Sequence, residues 1–228
     1  MILSIHQPDY IPWIGFFYKV SRSDCLVYLD DVQFSNQAAH NFNYIKTAQD
    51  PFRLKIPVDY HFGDTINQVR TKDELSWKQK HLKTLEYNYS KAPFFKETFP
   101  EFENILNRHY CDISEFNIAM NNMILKGFNI STKLERSSNL NIKTKREQKV
   151  IDICLKMGSN TYLSGQGAKA YQIKENFNKN GIELLYLDYD PIKYAQIGKP
   201  FLPKLSVIDF IFNCGFDWAY IEKEIRGY

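Results

Sequence analysis

Short apolar runs alternate with amphipathic stretches along this chain. The run Ile2–Ile5 is broken by Gln7-Pro8, which predicts a buried strand ending in a loop. After Pro12 the segment W-I-G-F-F-Y-K-V-S-R-S carries apolar residues at helical spacing, with Pro12 suited to a first turn. C-L-V-Y-L-D-D-V-Q-F is then β-branched and aromatic, a second strand whose end carries Asp30 and Asp31. Strand, helix and strand in this order predict a βαβ unit with a right-handed crossover between parallel strands. Functional groups in such units gather at the carboxyl ends of the strands. Those ends are His6-Gln7 and Asp30-Asp31.

Further along, Phe52–Val58 alternates as a third strand. From Trp77 to about Phe128 the pattern is helical, with breaks expected at Ala92-Pro93 and near Pro100. This stretch, about 75–130, reads as a helical insertion between two sheet-forming halves. S-T-K-L-E-R-S-S-N-L returns as a strand. A helix follows in T-K-R-E-Q-K-V-I-D-I-C-L-K-M-G, with Thr144 as cap, Glu147 three positions on and Gly158 as the stop. T-Y-L-S-G-Q-G-A-K-A-Y predicts a short strand, a glycine turn and a new helix. Ile182–Tyr189 is the last strand, and the tail from Leu205 forms one or two helices broken at Gly215. The fold class is therefore α/β: a mostly parallel sheet with an N-terminal βαβ unit and a helical insertion, in one domain over 1–228.

Composition narrows the function. The 228 residues are 44% hydrophobic and 24% charged, as in globular domains. A net charge of +3 is too balanced for a nucleic-acid wrap, so no nucleic-acid partner is expected. With 17 Phe, 15 Tyr and 3 Trp, aromatic rings are expected at the surface or along a cleft, and they leave room for a homodimer. The four cysteines are far apart, without a CxxC pair, and no His-x-His or HExxH appears. No metal site or disulfide framework is expected, and Cys25 and Cys154 fall on apolar faces as packing residues. The N-terminus lacks a signal-peptide pattern and no apolar window is long enough to span a bilayer, so a cytoplasmic protein without membrane insertion is expected.

The densest polar and aromatic constellation is His6, Gln7, Tyr10 and Trp13, followed by Asp30, Asp31 and Gln33. A histidine at the end of a buried strand can carry a proton or contact a phosphate near neutral pH, or be a hydrogen-bonded loop residue. If the second strand continues, Asp30 and Asp31 point to opposite faces, and one of them can face a cleft. Asn36, Asn41 and Asn43, with His40 between them, suit sugar hydroxyls or an oxyanion, and equally suit turn chemistry. Leu163–Lys169, with Ser164 and Gly165, has the strand-to-helix glycine turn that receives phosphates, without the full spacing of a P-loop or a dinucleotide fingerprint. Ser164 is not in a G-x-S-x-G elbow, which disfavours a serine hydrolase. Ser206 and Asp209 read as the cap and first-turn carboxylate of a helix.

Together, I-H-Q-P-D-Y-I-P-W-I-G-F-F, D-x-x-x-Y-L-D-D-V-Q-F, N-x-N-x-I, Y-L-S-G and F-x-P-x-L-S-V-I-D resemble the WbqC-like family from Ile2 to Gly215. The most specific parts are Gln7, Pro8, Pro12 and Gly15 at one end and Leu205, Ser206 and Asp209 at the other. Family members lie among genes for bacterial surface polysaccharides. The resemblance therefore implies a transferase acting on a nucleotide-linked amino sugar, by N-acyl or aminoacyl transfer, in lipopolysaccharide or O-antigen biosynthesis. The acyl donor would be CoA or a carrier protein. His6, Asp30 or Asp31 would be the base, with Gln7 and Asn43 as donors to the oxyanion. Tyr10, Trp13, Gln33, Asn41, Ser164, Gly165, Ser206 and Asp209 would complete the substrate contacts. Where the family pattern has N-R-N-R-I, Asn41–Ile45 reads N-F-N-Y-I, so an anion would fall to Lys46 or Arg53. Two alternatives stay open. One is a nucleotidyl- or adenylyl-transferase, although Pro8 and Tyr10 occupy the stretch where HxGH would stand. The other is a non-catalytic sugar- or carrier-binding protein.

Overall fold

The computed structural model describes residues 1–48, 50–188 and 190–226. In chain order the elements are β1 (Ile2–His6), α1 (Ile14–Ser21), β2 (Cys25–Tyr28), β3 (Phe42–Ile45), β4 (Phe52–Lys55), β5 (Val58–Asp59), β6 (Arg70–Thr71), α2 (Trp77–Tyr89), α3 (Phe95–Leu106) and α4 (Ile113–Gly127). They continue with β7 (Lys133–Arg136), α5 (Arg146–Lys156), β8 (Thr161–Gly165), α6 (Lys174–Asn178), β9 (Glu183–Leu187), α7 (Val207–Cys214) and α8 (Trp218–Arg226). The chain forms two compact units. The first comprises Met1–Pro8, Gly15–Val32 and Ile130–Tyr189, and the second comprises Asp9–Ile14, Gln33–Asn129 and Asp190–Tyr228.

The first unit is built on a five-stranded sheet, in the order β7-β2-β1-β8-β9, whose strand pairs are all parallel. The N-terminal βαβ unit is its centre, as the apolar spacing predicts. One face of the sheet is a single apolar core. Leu3, Ile5, Cys25, Val27, Tyr162 and Leu184 meet Ile151 and Cys154 of α5 and Phe177 of α6 there. On the other face Phe16 of α1 lies 5.0 Å from the His6 ring and 6.5 Å from Tyr28. The strand order reverses between β1 and β8, which makes this a doubly wound sheet with its switch point at those two strands.

The second unit holds the helices of the middle stretch together with α7 and α8. Its core is aromatic. Phe212 of α7 is packed by Tyr89, Phe95, Phe99 and Phe102. A second cluster joins Tyr10, Trp77, His81 and Phe116. The His81 ring is held at both nitrogens, 3.1 Å from the Lys55 carbonyl at Nε2 and 2.9 Å from the Tyr10 hydroxyl at Nδ1. A carbonyl only accepts, so Nε2 carries the hydrogen and Tyr10 donates to Nδ1. Burial pushes the His81 pKa down to about 4. Between pH 6.5 and 4 the unfolded chain therefore binds a proton that the fold refuses, and stability falls as pH falls through that window. The expected loss from this residue is roughly 3 kcal/mol. Urea unfolding at pH 7 and pH 4 checks it, because the uncharged His81→Gln variant loses less on acidification.

Four local expectations are corrected. Phe52–Val58 does not join the parallel sheet. Its first half is β4, paired antiparallel with β3, and its Val58 opens β5, which pairs antiparallel with β6. Pro100 does not break α3, because the Phe95, Phe99 and Phe102 contacts with Phe212 outweigh its missing hydrogen bond, and the chain breaks instead before Asp112. Thr144 does not cap α5: its hydroxyl donates to Asp152, and Glu147 accepts from Ile173 N and Asn176 Nδ2. The turn after β8 opens only a single 3₁₀ turn, Gln166–Ala168, before the short α6. The last strand ends at Leu187, and Tyr189 lies outside the described residues. Among the described residues, no helix is long and apolar enough to cross a membrane.

Candidate functional site

In a doubly wound sheet the position to examine is the carboxyl edge at the switch point. There the ladder opens. Pairing of β1 with β2 runs to His6 opposite Tyr28, and pairing of β8 with β9 runs to Gly165 opposite Leu187. Pairing between β1 and β8 stops at Ser4 opposite Leu163, two residues before either strand ends. Ile5-His6 and Ser164-Gly165 are thus not paired with each other, and this unpaired stretch of the edge is called the notch below.

His6 stands at the lip of this notch. Its Nδ1 is 3.0 Å from Nζ of Lys19, which also donates to the Ile5 carbonyl at 3.1 Å. Lys19 is buried in α1 together with the apolar Phe16, Phe17 and Val20. An ammonium can only donate, so Nδ1 accepts and the neutral ring carries its hydrogen on Nε2. In that tautomer the Nδ1 lone pair is taken by Lys19, so the ring is a hydrogen-bond donor at Nε2 rather than a base. Gln7 follows, half-buried, and Trp13 is exposed.

Asp30 and Asp31 do not take opposite faces of a continuing strand, because β2 ends at Tyr28. Both carboxylates converge on Ser137 after β7. Asp30 is fully buried and accepts from Arg136 Nε (2.7 Å), Ser138 Oγ (2.8 Å), Ser138 N (3.0 Å) and Ser137 Oγ (3.1 Å). Asp31 is more open. It accepts from Lys149 Nζ at 2.7 Å and faces the same Ser137 hydroxyl. A single hydroxyl proton serves one carboxylate at a time. This knot ties the end of β2 to the end of β7. Across the notch, Ser164 is fully buried and Gly165 half-buried.

The second unit contains a different set of polar joints. Ile11, at φ +38, is a strained position for a β-branched residue. It is held from both sides: its carbonyl accepts from Asn43 Nδ2 (3.0 Å) and Ser206 Oγ (2.7 Å), and Val207 N donates to the Pro12 carbonyl. Asn43 Nδ2 also donates to the Tyr10 carbonyl, and its Oδ1 accepts from Tyr44 N. Ser206 caps α7, accepting from Ile208 N at 3.3 Å. Asp209 does not serve that cap. Its carboxylate is buried and accepts from the hydroxyls of Tyr89 (2.7 Å) and Tyr194 (2.8 Å). Burial raises its pKa, against the pull of those two hydrogen bonds. Tyr10 is buried on His81, Gln33 is exposed and bridges to Thr65, and Asn41 is buried with Nδ2 on Asn36 and the Ile56 carbonyl.

The WbqC-like family model matches residues 7–220. The chain belongs to the WbqC-like protein family. It is also 30% identical over 217 residues to a protein of Mycobacterium tuberculosis (strain ATCC 25618 / H37Rv) named Uncharacterized protein Rv1507c, covering 93% of this chain and 94% of that one. No solved structure gives a significant match. For this WbqC-like protein the joints described above give four of the motif positions a physical reason. Pro12, Asn43 and Ser206 hold one strained loop, and Asp209 anchors α7.

The basic substitutes expected for N-R-N-R-I are engaged elsewhere. Lys46 is buried and donates to Gln196 Oε1, Gly198 O and Pro200 O, and burial lowers its pKa. The guanidinium of Arg53 lies 3.6 Å over the Phe42 ring. A cavity of about 570 Å³ is lined by Tyr194, Gln196, Gly198, Lys199, Pro200 and Phe201. Its Tyr194 hydroxyl and Gln196 amide are already engaged by Asp209, Leu202 and Lys46. Sequence reasoning missed Lys19, Arg136, Ser137 and Lys149. Lys19 had a signal, a lone cation within an apolar helix, whereas Arg136 and Lys149 are 106 and 118 residues from the aspartates they meet.

Proposed function

We propose that this protein is a transferase that acylates the amine of a nucleotide-linked amino sugar, using a thioester of CoA or of a carrier protein, in the assembly of a bacterial surface glycan. The single observation that carries the reading is the opened carboxyl edge between β1 and β8 with His6 at its lip, its Nδ1 accepting from Lys19. Family membership supports the substrate class.

In the reaction the amine nitrogen attacks the thioester carbonyl carbon and a C–N bond forms. The carbonyl oxygen gains negative charge, and the Nε2–H of His6 donates to it. Asp31, the more open of the two aspartates, accepts the proton that the nitrogen sheds. The tetrahedral intermediate collapses, the C–S bond breaks, and the thiolate takes up a proton. The products are an amide and a thiol.

The test is to incubate purified protein with UDP- and dTDP-amino sugars and acetyl-CoA, following thiol release and the mass of the amide. His6→Ala is expected to lower kcat by about 10²–10³-fold, the usual cost of one oxyanion donor. His6→Gln restores part of the rate, because its amide can accept from Lys19 and still donate. A Gln variant as slow as the Ala variant makes His6 a base. Full turnover in His6→Ala removes it from the chemistry.

A further inference from the structure

Gly165 and Gly167 pose a question that the fold does not answer. Neither has a positive φ, and Gly165, at φ −87 and ψ 155, has ordinary extended geometry open to any residue. A Cβ built on either meets nothing within 4 Å. Neither conformation nor packing therefore requires glycine at these two positions. What glycine provides here is bare backbone beside the notch, so that a ligand can approach the main chain closely.

The surroundings say what kind of ligand. Nζ of Lys169, two residues after Gly167, lies 5.8 Å from the ring of Tyr186, and Tyr186 pairs with Ser164 next to the end of β8. Lys169 is exposed and offers a cation to an anion resting on the turn. The ring of Tyr171, on the same loop, is 70% exposed, a large apolar surface with nothing over most of it. A bare backbone turn, a cation and an open aromatic ring together fit a nucleoside diphosphate. The anion would rest on the turn beside Lys169, and the base would stack on Tyr171.

We infer that the Gly165–Lys169 turn is the seat of the diphosphate of a nucleotide ligand, with Tyr171 receiving the base. This names the substrate class of the notch and rests on the proposed function only for the sugar beyond the phosphates. Calorimetric titration with UDP, ADP and inorganic pyrophosphate tests it without any acyl donor, so failure of the acyl-transfer reading leaves the result intact.

The unmodified protein is expected to bind UDP or ADP. Gly165→Ala and Gly167→Ala are each expected to weaken that binding at least tenfold while the melting temperature stays level or rises, since both positions have room for a methyl group. Lys169→Gln weakens nucleotide and pyrophosphate alike, whereas Tyr171→Ala weakens only the nucleotides. Glycine variants that bind as the parent does, or a parent that binds neither nucleotide at millimolar concentration, overturn the inference. Binding of pyrophosphate as tight as UDP, unaffected by Tyr171→Ala, overturns the base platform.

Discussion

Asp209→Ala is expected to destabilise the protein by about 3–5 kcal/mol, enough to remove much of the stability of a typical domain. The carboxylate is fully buried, and the hydroxyls of Tyr89 and Tyr194 both point at it. Removing it leaves the Tyr89 hydroxyl buried without its acceptor, and an unmet polar group costs about 1–3 kcal/mol. It also removes the negative charge that favours the buried Lys46 ammonium. Asp209→Asn keeps the shape and is expected to cost about half as much, because an amide can still accept from one tyrosine.

The pH dependence separates the two variants further. Burial raises the Asp209 pKa above its ordinary value of 3.8, so above that pH the folded protein holds a proton that the unfolded chain has released. The contribution of this group to stability therefore falls as pH rises through its raised pKa, and Asp209→Asn lacks that fall. Urea unfolding at several pH values measures both effects. An alanine variant within 1 kcal/mol of the parent would mean that the two tyrosines find other partners at little cost.

Asp209 also illustrates which parts of the structure can be read in advance. In L-S-V-I-D-F-I-F-N-C the sequence shows the helix and its Ser206 cap, but it reads Asp209 as a first-turn carboxylate, whereas the structure buries it as an acceptor. Its partners do not follow, because Tyr89 is 120 residues away in sequence. β1, α1 and β2 are legible for a related reason: their apolar spacing is local, and their pairing follows from crossover handedness. The β3 strand escapes because in N-F-N-Y-I the inward Asn43 looks like loop chemistry. Its amide is used on the carbonyls of Tyr10 and Ile11, more than thirty residues earlier. For the site, the sequence places His6 and the two aspartates at strand ends. It leaves out the charges that decide what they can do. Lys19 sets the tautomer of His6, and Arg136 and Lys149 engage the carboxylates.

That engagement leads to the second large effect. Asp30→Ala is expected to cost about 3–5 kcal/mol, because it leaves Arg136 Nε, Ser138 N and the Ser138 hydroxyl without their shared acceptor, while the Ser137 hydroxyl keeps Asp31. Arg136 is 31% exposed and can turn to water, so Arg136→Ala is expected to cost less, about 1–3 kcal/mol. The two changes are coupled. The double variant is expected to be more stable than the sum of the single losses implies, by about 1–3 kcal/mol, and a double-mutant cycle in urea measures this directly. The same variants separate holding from catalysis. Fully buried, with Arg136 Nε, Ser138 N and Ser138 Oγ already donating to its oxygens, Asp30 has no lone pair well placed for a substrate proton. Asp31 is open on one side and has that capacity. Under conditions where both variants are folded, Asp30→Asn is therefore expected to keep most of the turnover per folded molecule, and Asp31→Asn to lose about 10²-fold or more. The reverse result, a folded Asp30→Asn that is inactive beside an active Asp31→Asn, would move the base to Asp30 and make the Asp31–Lys149 pair the structural one.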